Sequence, residues 1–390
     1  MASYTVVSGF DVIVVGLGGM GSAAAAHLAA GGQRVLGLEQ FQPAHAFGSS
    51  HGRSRVIRLA YFEHPSYVPL LLRAYELWEQ LERDSGRSLL TITGGLMVGT
   101  PESEVVSGSL RSAREHGLAH EMLDAAEIRR RFSPFTPGPG IVALHEPRAG
   151  VLRPEEAIHA HLERACADGA DLRFGERVVD WHAGPSGSVE VRTMRERHEA
   201  GRLVIAPGAW APALFKLPSL PLEVERQVLY WFDPVGGAAA FAADRFPIYI
   251  WDLGAGVQCY GFPADEAGVK VAFFRTGGGA RCTADSVERV VEPDEVIAIR
   301  HALAPCLPAL ASGRLTETAT CMYTLTPDHH FVIGLHPDHS QVVIASPCSG
   351  HGYKFASVVG EILAELAIEG TTRQPIDLFA PLRFRLRPGA

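Results

Sequence analysis

The first forty residues alternate between short apolar runs and a glycine-rich turn. Residues 11–15 form a β-branched run, Asp-Val-Ile-Val-Val, and 16–21 read Gly-Leu-Gly-Gly-Met-Gly. A helical stretch over 22–30 follows, and 34–38 then read as a second strand that ends at Glu39. Strand, glycine turn, helix, strand and acid in this order predict a βαβ unit.

Later segments continue the alternation of strands and helices. Apolar runs of strand length and two longer helical patterns recur through the chain. The predicted strands cover 172–174, 188–192, 203–206 and 341–345, and the predicted helices cover 67–83 and 358–369.

The middle of the chain has a different character. Apolar and aromatic residues alternate or run together over 221–232, 249–262 and 269–274, which indicates antiparallel strands of a second domain. The patterns together predict an α/β fold in which a discontinuous Rossmann-like nucleotide domain is interrupted by an antiparallel-sheet-rich substrate domain. We assign 1–85, 145–220 and 320–390 to the nucleotide domain, and 86–144 and 221–319 to the substrate domain.

The glycine motif in the first turn predicts a dinucleotide site. Gly16 permits the tight turn, Gly18 lets backbone amides approach a pyrophosphate, and Gly21 lets the helix pack on the strand. The helix N-terminus offers free N–H groups to the phosphates. Glu39 lies 18 residues after Gly21, where its carboxylate can accept the ribose hydroxyls. The motif does not distinguish NAD from FAD, and a purely structural glycine turn is the alternative.

Composition limits the classes of function. Of the 390 residues, 47% are hydrophobic and 20% are charged, as in ordinary globular proteins. The net charge of −8, without a Lys/Arg-rich run, argues against nucleic-acid binding. Six scattered cysteines without a Cys-x-x-Cys pair fit a reducing compartment.

One segment imitates a membrane span. Residues 12–32 are almost uncharged, but Gly16, Gly18, Gly19 and Gly21 within them suit a nucleotide loop better. The first ten residues contain no Lys or Arg, unlike a signal peptide. We therefore expect a cytoplasmic protein without nucleic-acid or membrane partners.

Several motifs, in order along nearly the whole chain, resemble the monomeric sarcosine oxidase and N-methyltryptophan oxidase family within the D-amino-acid-oxidase-like flavoproteins. They are GLGGMGSAAAAHLA from Gly16, SSHGRSRVIRLAYFEHPSYVPL at 49–70, LVIAPGAW at 203–210, GFP at 261–263, CMYTLTPDHHF from Cys321 and SGHGYKFASVVGE at 349–361. The resemblance implies a Rossmann-like FAD-binding domain of the D-amino-acid-oxidase type.

The resemblance also implies FAD, joined covalently through a cysteine sulfur to the flavin 8α-methyl carbon. The matching cysteine is Cys321, for which a buried unreactive thiol is the alternative. The cofactor-binding residues that it implies are Gly16, Gly18, Gly19, Met20, Gly21, Glu39, Gln40, His51, Arg55, Val178, Cys321, Gly350, Gly352 and Lys354.

Five residues match the family's catalytic positions. Arg58 and Lys354 match a clamp for the substrate carboxylate, and Arg55 matches a position beside the flavin ring. Lys270 matches the lysine that stabilises negative charge on O2, and Tyr260 matches a pocket tyrosine. The alternatives are a solvated basic loop for the arginines, a strand lysine that reaches solvent for Lys270 and a core aromatic for Tyr260.

One position departs from the family. Sarcosine oxidases carry a histidine four residues after the lysine, whereas this chain has Phe274. An apolar ring there predicts a bulkier or more apolar secondary amino acid, N-methylated or cyclic, rather than sarcosine.

The resemblance therefore implies a monomeric enzyme that oxidises such an amine to an imine and reduces O2 to H2O2. A biosynthetic imino-acid oxidase or desaturase, and an FAD dehydrogenase with another electron acceptor, are the alternatives.

A histidine-rich segment could suggest a metal site. His329, His330, His336 and His339 lie on a Pro/Asp-rich stretch without a matching Cys/His array or an HExxH motif. We predict polar loop histidines and no metal.

Overall fold

The computed structural model describes residues 6–184, 187–276, 279–346 and 349–384, and for 6–8 the backbone alone. Strands and α-helices alternate along these ranges, joined by loops and short 3-10 turns. The strands are β1 (Val6–Val15), β2 (Val35–Glu39), β3 (Arg55–Ile57), β4 (Leu90–Ile92), β5 (Gly95–Gly99), β6 (Glu121–Asp124), β7 (Val142–Glu146), β8 (Gly150–Leu152), β9 (Asp171–Phe174), β10 (Val178–Ala183), β11 (Val189–Thr193), β12 (Arg197–Ile205), β13 (Glu223–Asp233), β14 (Ile248–Gly254), β15 (Val257–Asp265), β16 (Gly268–Thr276), β17 (Arg281–Cys282), β18 (Arg314–Leu325), β19 (Val332–His336) and β20 (His339–Ser346). The helices are α1 (Gly19–Ala30), α2 (Val68–Ser85), α3 (Glu104–Glu115), α4 (Ala125–Arg131), α5 (Pro154–Ala167), α6 (Ala211–Leu214), α7 (Pro293–Leu303), α8 (Pro308–Ala311) and α9 (Ala356–Glu369).

The first sheet has a parallel centre in the order β9-β2-β1-β12-β20. Val14 of β1 lies between Gly37 of β2 and Val204 of β12. On the side of β12 away from β1, β11 pairs antiparallel with the first half of β12, and β10 pairs antiparallel with β11. β19 pairs antiparallel with β20. The middle of the sheet is apolar, over residues 12–15, 35–38, 203–205 and 342–345, because both of its faces are covered.

Helices α1, α5 and α9 cover one face of this sheet. The alanines at 23–26 allow a close approach of α9, since a Cβ on Gly360 would lie 2.5 Å from the Cβ of Ala23. The small-residue run that follows the glycine turn therefore serves helix packing.

The second sheet has the order β17-β13-β16-β15-β14-β5-β7-β6, and β18 pairs along the length of β13. Its neighbours are antiparallel apart from β5 and β14, which run parallel. The predicted segment 249–262 forms two strands rather than one. The chain reverses at residues 254–256, all with positive φ, so that Trp251 pairs with Cys259.

Three short strands form a separate third sheet. It has the order β3-β8-β4, and β3 begins at Arg55, inside the arginine-rich segment.

These features confirm the predicted α/β class with a second, largely antiparallel sheet. The residue boundaries given above for the two domains stay predictions. Within the described ranges, no helix combines the length and the apolar character needed to cross a bilayer.

Candidate active site

A cavity of about 370 Å³ lies between the carboxyl ends of the parallel strands and the second sheet. Its position matches the general rule for ligand sites in open α/β sheets. Of the residues predicted from the sequence, those that line it are Gly16, Gly18, Gly19, Met20, Glu39, Gln40, Arg55, Arg58, Val178, Tyr260, Cys321, Gly350, Gly352 and Lys354. Gly21, His51 and Lys270 are buried outside the lining.

The glycine turn has the geometry that a dinucleotide needs. Gly16 has φ +86°, and a Cβ there would lie 2.6 Å from the carbonyl oxygen of Ala206. A Cβ on Gly21 would lie 1.7 Å from the oxygen of Gly16, which explains why Gly21 packs behind the turn. Gly18 faces the cavity, and a Cβ built on it would have Ser50 Oγ, at 3.9 Å, as its nearest neighbour. Gly18, at the N-terminus of α1, has no side chain to cap the helix, and Gly19 N–H makes a long hydrogen bond of 3.4 Å to Ser50 Oγ. The N-terminus of α1 therefore faces the cavity with amides that phosphates can use.

Glu39 closes the nucleotide end of the cavity. Its carboxylate accepts hydrogen bonds from the backbone of Leu17 at 2.9 Å and Phe41 at 3.1 Å, and His45 Nε2 lies 3.5 Å away. These bonds orient the buried carboxylate, and its remaining lone pairs can accept ribose hydroxyls.

Cys321 lies at the other end of the cavity. It sits on β18 opposite Gln227 of β13 and is only 3% exposed. Its Sγ lies 3.9 Å from the carbonyl oxygen of Ser49, and the Ser49 hydroxyl donates to the oxygen of Met322 at 2.7 Å. The loop after β2 is thus fixed against the cysteine strand.

Arg55 crosses the space between Cys321 and the glycine turn. Its guanidinium donates to the carbonyl oxygens of Ser54 at 2.7 Å and Ser49 at 2.8 Å, and it lies 5.9 Å from the ring centre of Tyr353. Burial lowers the pKa of Arg55, but Cys321 and other acidic groups outweigh it, so the net pKa is raised. Arg55 is therefore a permanent cation at the cavity wall.

His51 and Lys270 lie behind Arg55. Burial, and then the cations of Arg55 and Lys270, lower the pKa of His51 to about 3, so His51 is neutral at physiological pH. His51 Nε2 has no hydrogen-bond partner among the described residues. This nitrogen is therefore a buried polar atom that keeps its hydrogen-bonding capacity.

Lys270 is 1% exposed, and its ammonium is fully hydrogen-bonded. It donates to the oxygen of Gly52 at 2.7 Å, to the oxygen of Ser54 at 3.0 Å and to Ser54 Oγ at 3.1 Å. Burial, followed by repulsion from Arg55, holds the pKa of Lys270 well below its ordinary value. The interpretation of Lys270 as a strand lysine reaching solvent is therefore wrong.

Arg58 forms a buried ion pair that the sequence analysis did not anticipate. Its Nη2 donates to Glu63 Oε2 at 2.6 Å, its Nη1 donates to the oxygen of Ala60 at 2.8 Å, and its guanidinium lies 4.2 Å from the ring centre of Tyr61. Burial raises the pKa of Glu63, but Arg58, His351 and Lys354 outweigh it and bring the pKa to about 2. Arg58 Nε and Glu63 Oε1 have no partner within the described ranges and retain bonding capacity.

Lys354 faces the same part of the cavity. Its Nζ donates to the oxygen of His351 at 2.7 Å, and Trp78 Nε1 donates to the Lys354 oxygen at 2.9 Å, which fixes the backbone. Burial, followed by Arg58, lowers the pKa of Lys354 to about 7. The lysine therefore changes charge near neutral pH.

Aromatic side chains form the wall between the clamp and Cys321. Phe274 is 8% exposed and lines the cavity. The centre of its ring lies 6.2 Å from that of Phe62 and 6.4 Å from that of Tyr323. Tyr260 and Ile250 complete this apolar wall. The structure thus brings the predicted Phe274 and Tyr260 into the same cavity as the cations of Arg58 and Lys354.

Sequence reasoning missed several residues of the site. Glu63, Tyr323, His351 and Trp210 line the cavity, and Glu155 contacts the loop that bonds to Lys270. Glu63 and Tyr323 lie within five residues of Arg58 and Cys321, so closer attention to the motifs could have found them. Within the part of the chain that the structure describes, no group of three or more His, Cys, Asp or Glu side chains could hold a metal ion.

The residues of the cavity fit FAD. The tight glycine turn, the N-terminus of α1 and the oriented Glu39 suit the adenosine diphosphate half. The cavity continues from there past Arg55 to Cys321 and Tyr260, where a flavin ring can lie. A family model described as FAD-dependent oxidoreductase matches residues 11–366, and the chain belongs to that family.

Individual relatives narrow the class. The chain is 52% identical over 383 residues to a monomeric sarcosine oxidase of Streptomyces avermitilis, covering 97% of this chain and 99% of that protein. It is 31% identical over 376 residues to an N-methyl-L-tryptophan oxidase of Yersinia pestis, covering 96% and 100%. Its fold superposes on NikD, an amino acid oxidase essential for nikkomycin biosynthesis, with TM-score 0.81 at 26% identity, covering 96% and 97%. These similarities confirm the predicted resemblance and the class of a flavin-dependent, sarcosine-oxidase-like amine oxidase.

Proposed function

We propose that the chain oxidises a secondary amino acid with an apolar side chain, N-methylated or cyclic, to an imine, and that O2 is reduced to H2O2. The observation that carries this proposal is the pairing of a cationic cluster at Arg58 and Lys354 with the apolar wall of Phe274 and Tyr323. A carboxylate and an apolar side chain on one substrate match these two surfaces.

Arg58 and Lys354 would bind the substrate carboxylate. The guanidinium offers a planar fork, and the ammonium adds a point charge. Glu63 already accepts a hydrogen bond from Arg58 Nη2, so an incoming carboxylate would share this donor or replace Glu63 on it. The unpartnered Nε of Arg58 supports this role, because a buried donor without an acceptor is costly.

The redox step belongs to the cofactor. FAD, when bound, accepts a hydride equivalent from the C–H bond next to the amine nitrogen and passes the two electrons to O2. The residues of this chain orient the substrate over the flavin position and keep water from the aromatic wall. Lys270 supplies a buried positive charge for the negative charge that develops on O2.

A panel of amines tests the substrate class. Purified protein in air should release H2O2 faster with N-methyl aromatic amino acids, proline or pipecolate than with sarcosine. If sarcosine is the fastest substrate, the interpretation of Phe274 as a determinant of an apolar substrate is wrong.

Cys321 is proposed as the covalent attachment of FAD. Its position at the cavity wall, with the cationic Arg55 nearby, supports this attachment. Cys321 would supply the sulfur of the thioether, and the bond would cost the thiol and the methyl group one hydrogen each, with O2 reduced to H2O2.

Acid precipitation tests the covalent bond. Yellow colour should stay with the protein pellet and move to the supernatant in Cys321→Ser. The matched variant Cys166→Ser changes an exposed thiol on α5 and should leave the colour in the pellet. A colourless wild-type pellet contradicts the bond.

A biosynthetic imino-acid oxidase or desaturase is the second candidate. The likeness to NikD and the apolar Phe274 favour it. The ratio of H2O2 formed to cyclic substrate consumed distinguishes it from a simple amine oxidase. A ratio above one would mean that each substrate molecule loses more than one electron pair. Substrate oxidation without H2O2 in air would indicate a dehydrogenase with another acceptor.

The predicted domain boundaries, the monomeric state and the cytoplasmic location belong to the same proposal. Size-exclusion chromatography with light scattering tests the oligomeric state, with one chain per particle as the expected result.

A further inference from the structure

The ammonium of Lys270 is held by one short loop. Its three acceptors are the oxygens of Gly52 and Ser54 and the hydroxyl of Ser54. The loop has an unusual backbone, since Gly52 has φ +92° and Arg53 has φ +65°. A left-handed arginine is strained and persists only when its surroundings hold it there.

Glu155 supplies that hold. It is the second residue of α5, and its Oε1 accepts hydrogen bonds from the backbone N–H of Gly52 at 2.7 Å and of Arg53 at 3.1 Å. The N–H of Arg53 and the carbonyl of Gly52 belong to one peptide group and point in opposite directions. One peptide therefore separates the Glu155 carboxylate from the Lys270 ammonium.

The charges around this peptide are unbalanced without Glu155. Arg55 and Lys270 share the oxygen of Ser54 as an acceptor, so a partly buried and a buried cation lie side by side. Asp265 also faces Lys270, but it pairs with Arg53 at 3.1 Å. Within the described ranges Glu155 forms no direct ion pair, and the N-terminus of α5 stabilises its charge.

We propose that Glu155 is a positioning residue that orients the Gly52–Arg53 peptide and so keeps Lys270 protonated beside the cofactor. The inference rests on the proposed role of Lys270 in the reaction with O2. Burial and Arg55 lower the pKa of Lys270, and the charges of Cys321, Glu155 and Asp265 oppose this effect.

The lysine content of the chain allows a direct test. The sequence contains only Lys216, Lys270 and Lys354, so selective ¹³C labelling of lysine gives three side-chain signals in the NMR spectrum of the holoenzyme. Replacing Lys216 and Lys354 one at a time assigns them. In Glu155→Gln, the Lys270 signal should titrate at lower pH than in the wild-type protein. Glu155→Asp, which keeps the charge one methylene further back, should give an intermediate titration.

Glu156→Gln is the matched control. It makes the same chemical change one residue later, at an ion pair with Arg87 on the surface. The control should leave the Lys270 titration unchanged. An unchanged titration in both Glu155 variants, or an equal shift in the control, overturns the proposal.

Rapid-reaction kinetics provide the functional readout. Glu155→Gln should slow reoxidation of the reduced enzyme by O2 roughly tenfold at neutral pH, as expected for a displaced or deprotonated cation. Anaerobic reduction by substrate should stay within about twofold of the wild-type rate. Equal losses in both half-reactions would indicate a general structural defect and overturn the positioning role.

Lys270→Met separates this inference from the proposed function. If Lys270→Met reacts normally with O2 while Glu155→Gln still shifts the Lys270 titration, the oxygen role of Lys270 is wrong and the positioning by Glu155 stands.

Discussion

Two buried lysines of the site differ in what holds them. Lys270 is surrounded by three acceptors of one loop, whereas Lys354 donates to the oxygen of His351 and faces the cavity. Lys354 is therefore free to bind a second partner, and a substrate carboxylate is the partner that its position suggests.

The pKa of Lys354 predicts a pH dependence of substrate capture. Its pKa is about 7 in the folded protein, below the ordinary value of 10.5, so the ammonium is present below pH 7 and lost above it. We expect kcat/KM for an amino-acid substrate to fall as pH rises through about 7, because this parameter reports the free enzyme. In Lys354→Met this decline should disappear, whereas Lys216→Met, at the surface ion pair with Asp180, should retain it. A wild-type profile that is flat across this range would contradict the clamp.

Phe274 sets a prediction for specificity. Phe274→His places a polar ring where Phe274 contacts Phe62 and Tyr323. The ratio of kcat/KM for sarcosine to that for an N-methyl aromatic amino acid should rise by about tenfold, since contacts of this size discriminate by that order. Phe273→His, one residue earlier on β16, points away from the cavity lining and serves as the control. The same ratio in both variants would contradict the role of Phe274.

At the scale of elements, the contact between α1 and α9 connects the glycine turn to the clamp. Lys354 lies in the turn that leads into α9, and Gly360 of α9 packs on Ala23 of α1. The position of Lys354 thus depends on how closely the two helices approach.

Gly360→Ala tests this contact. Its Cβ would lie 2.5 Å from the Cβ of Ala23 and 2.6 Å from its backbone carbon, so one helix has to move. We expect a loss of about 1–3 kcal/mol in the free energy of unfolding, the usual cost of overpacking a core. Gly138→Ala, where no atom lies within 4 Å of the new Cβ, should be close to neutral in the same denaturation assay. Equal stability of the two variants would show that the helices are not in tight contact.

Some elements could be predicted from the sequence because their signals are local. The run at 11–15, the glycine turn and the strand ending at Glu39 became β1, the start of α1 and β2. The apolar pattern over 249–262 predicts strand structure but gives no sign of the chain reversal at Gly254 and Gly256. The reversal depends on backbone conformation rather than on hydrophobic pattern, which is why the pattern missed it.

The residues of the site also differ in whether a local signal in the sequence identifies them. The sequence predicts Arg55, Arg58, Cys321 and Lys354, which line the cavity, because each belongs to a contiguous motif. The contact of Glu155 with the loop at 52–53 joins residues about one hundred positions apart, and neither segment identifies the other in the sequence.

At the scale of the whole molecule, contacts between distant segments close the cavity. Asp285 follows β17 of the second sheet, accepts from Trp210 Nε1 at 2.9 Å and pairs with Arg177 Nη2 at 2.7 Å. Trp210 and Arg177 both line the cavity. Asp285 therefore connects the second sheet to two residues beside the nucleotide position.

This connection predicts an effect on cofactor retention. In a Cys321→Ser background, where FAD is held without a thioether, Asp285→Ala should increase the rate of FAD dissociation about threefold to tenfold, consistent with loss of a charged hydrogen bond. Asp244→Ala, at an exposed pair with Arg245, is the control and should not change the rate. Dissociation followed by flavin fluorescence provides the measurement, and equal rates in the two variants would contradict the connection.

The most direct test of the account is a single turnover of the purified holoenzyme without O2. Addition of an N-methyl aromatic or cyclic secondary amino acid should bleach the flavin absorbance, and admission of air should restore it with about one H2O2 per flavin. The corresponding primary amino acid should leave the colour unchanged. Flavin that stays oxidised with every secondary amine, or that recovers in air without H2O2, would contradict the proposed function.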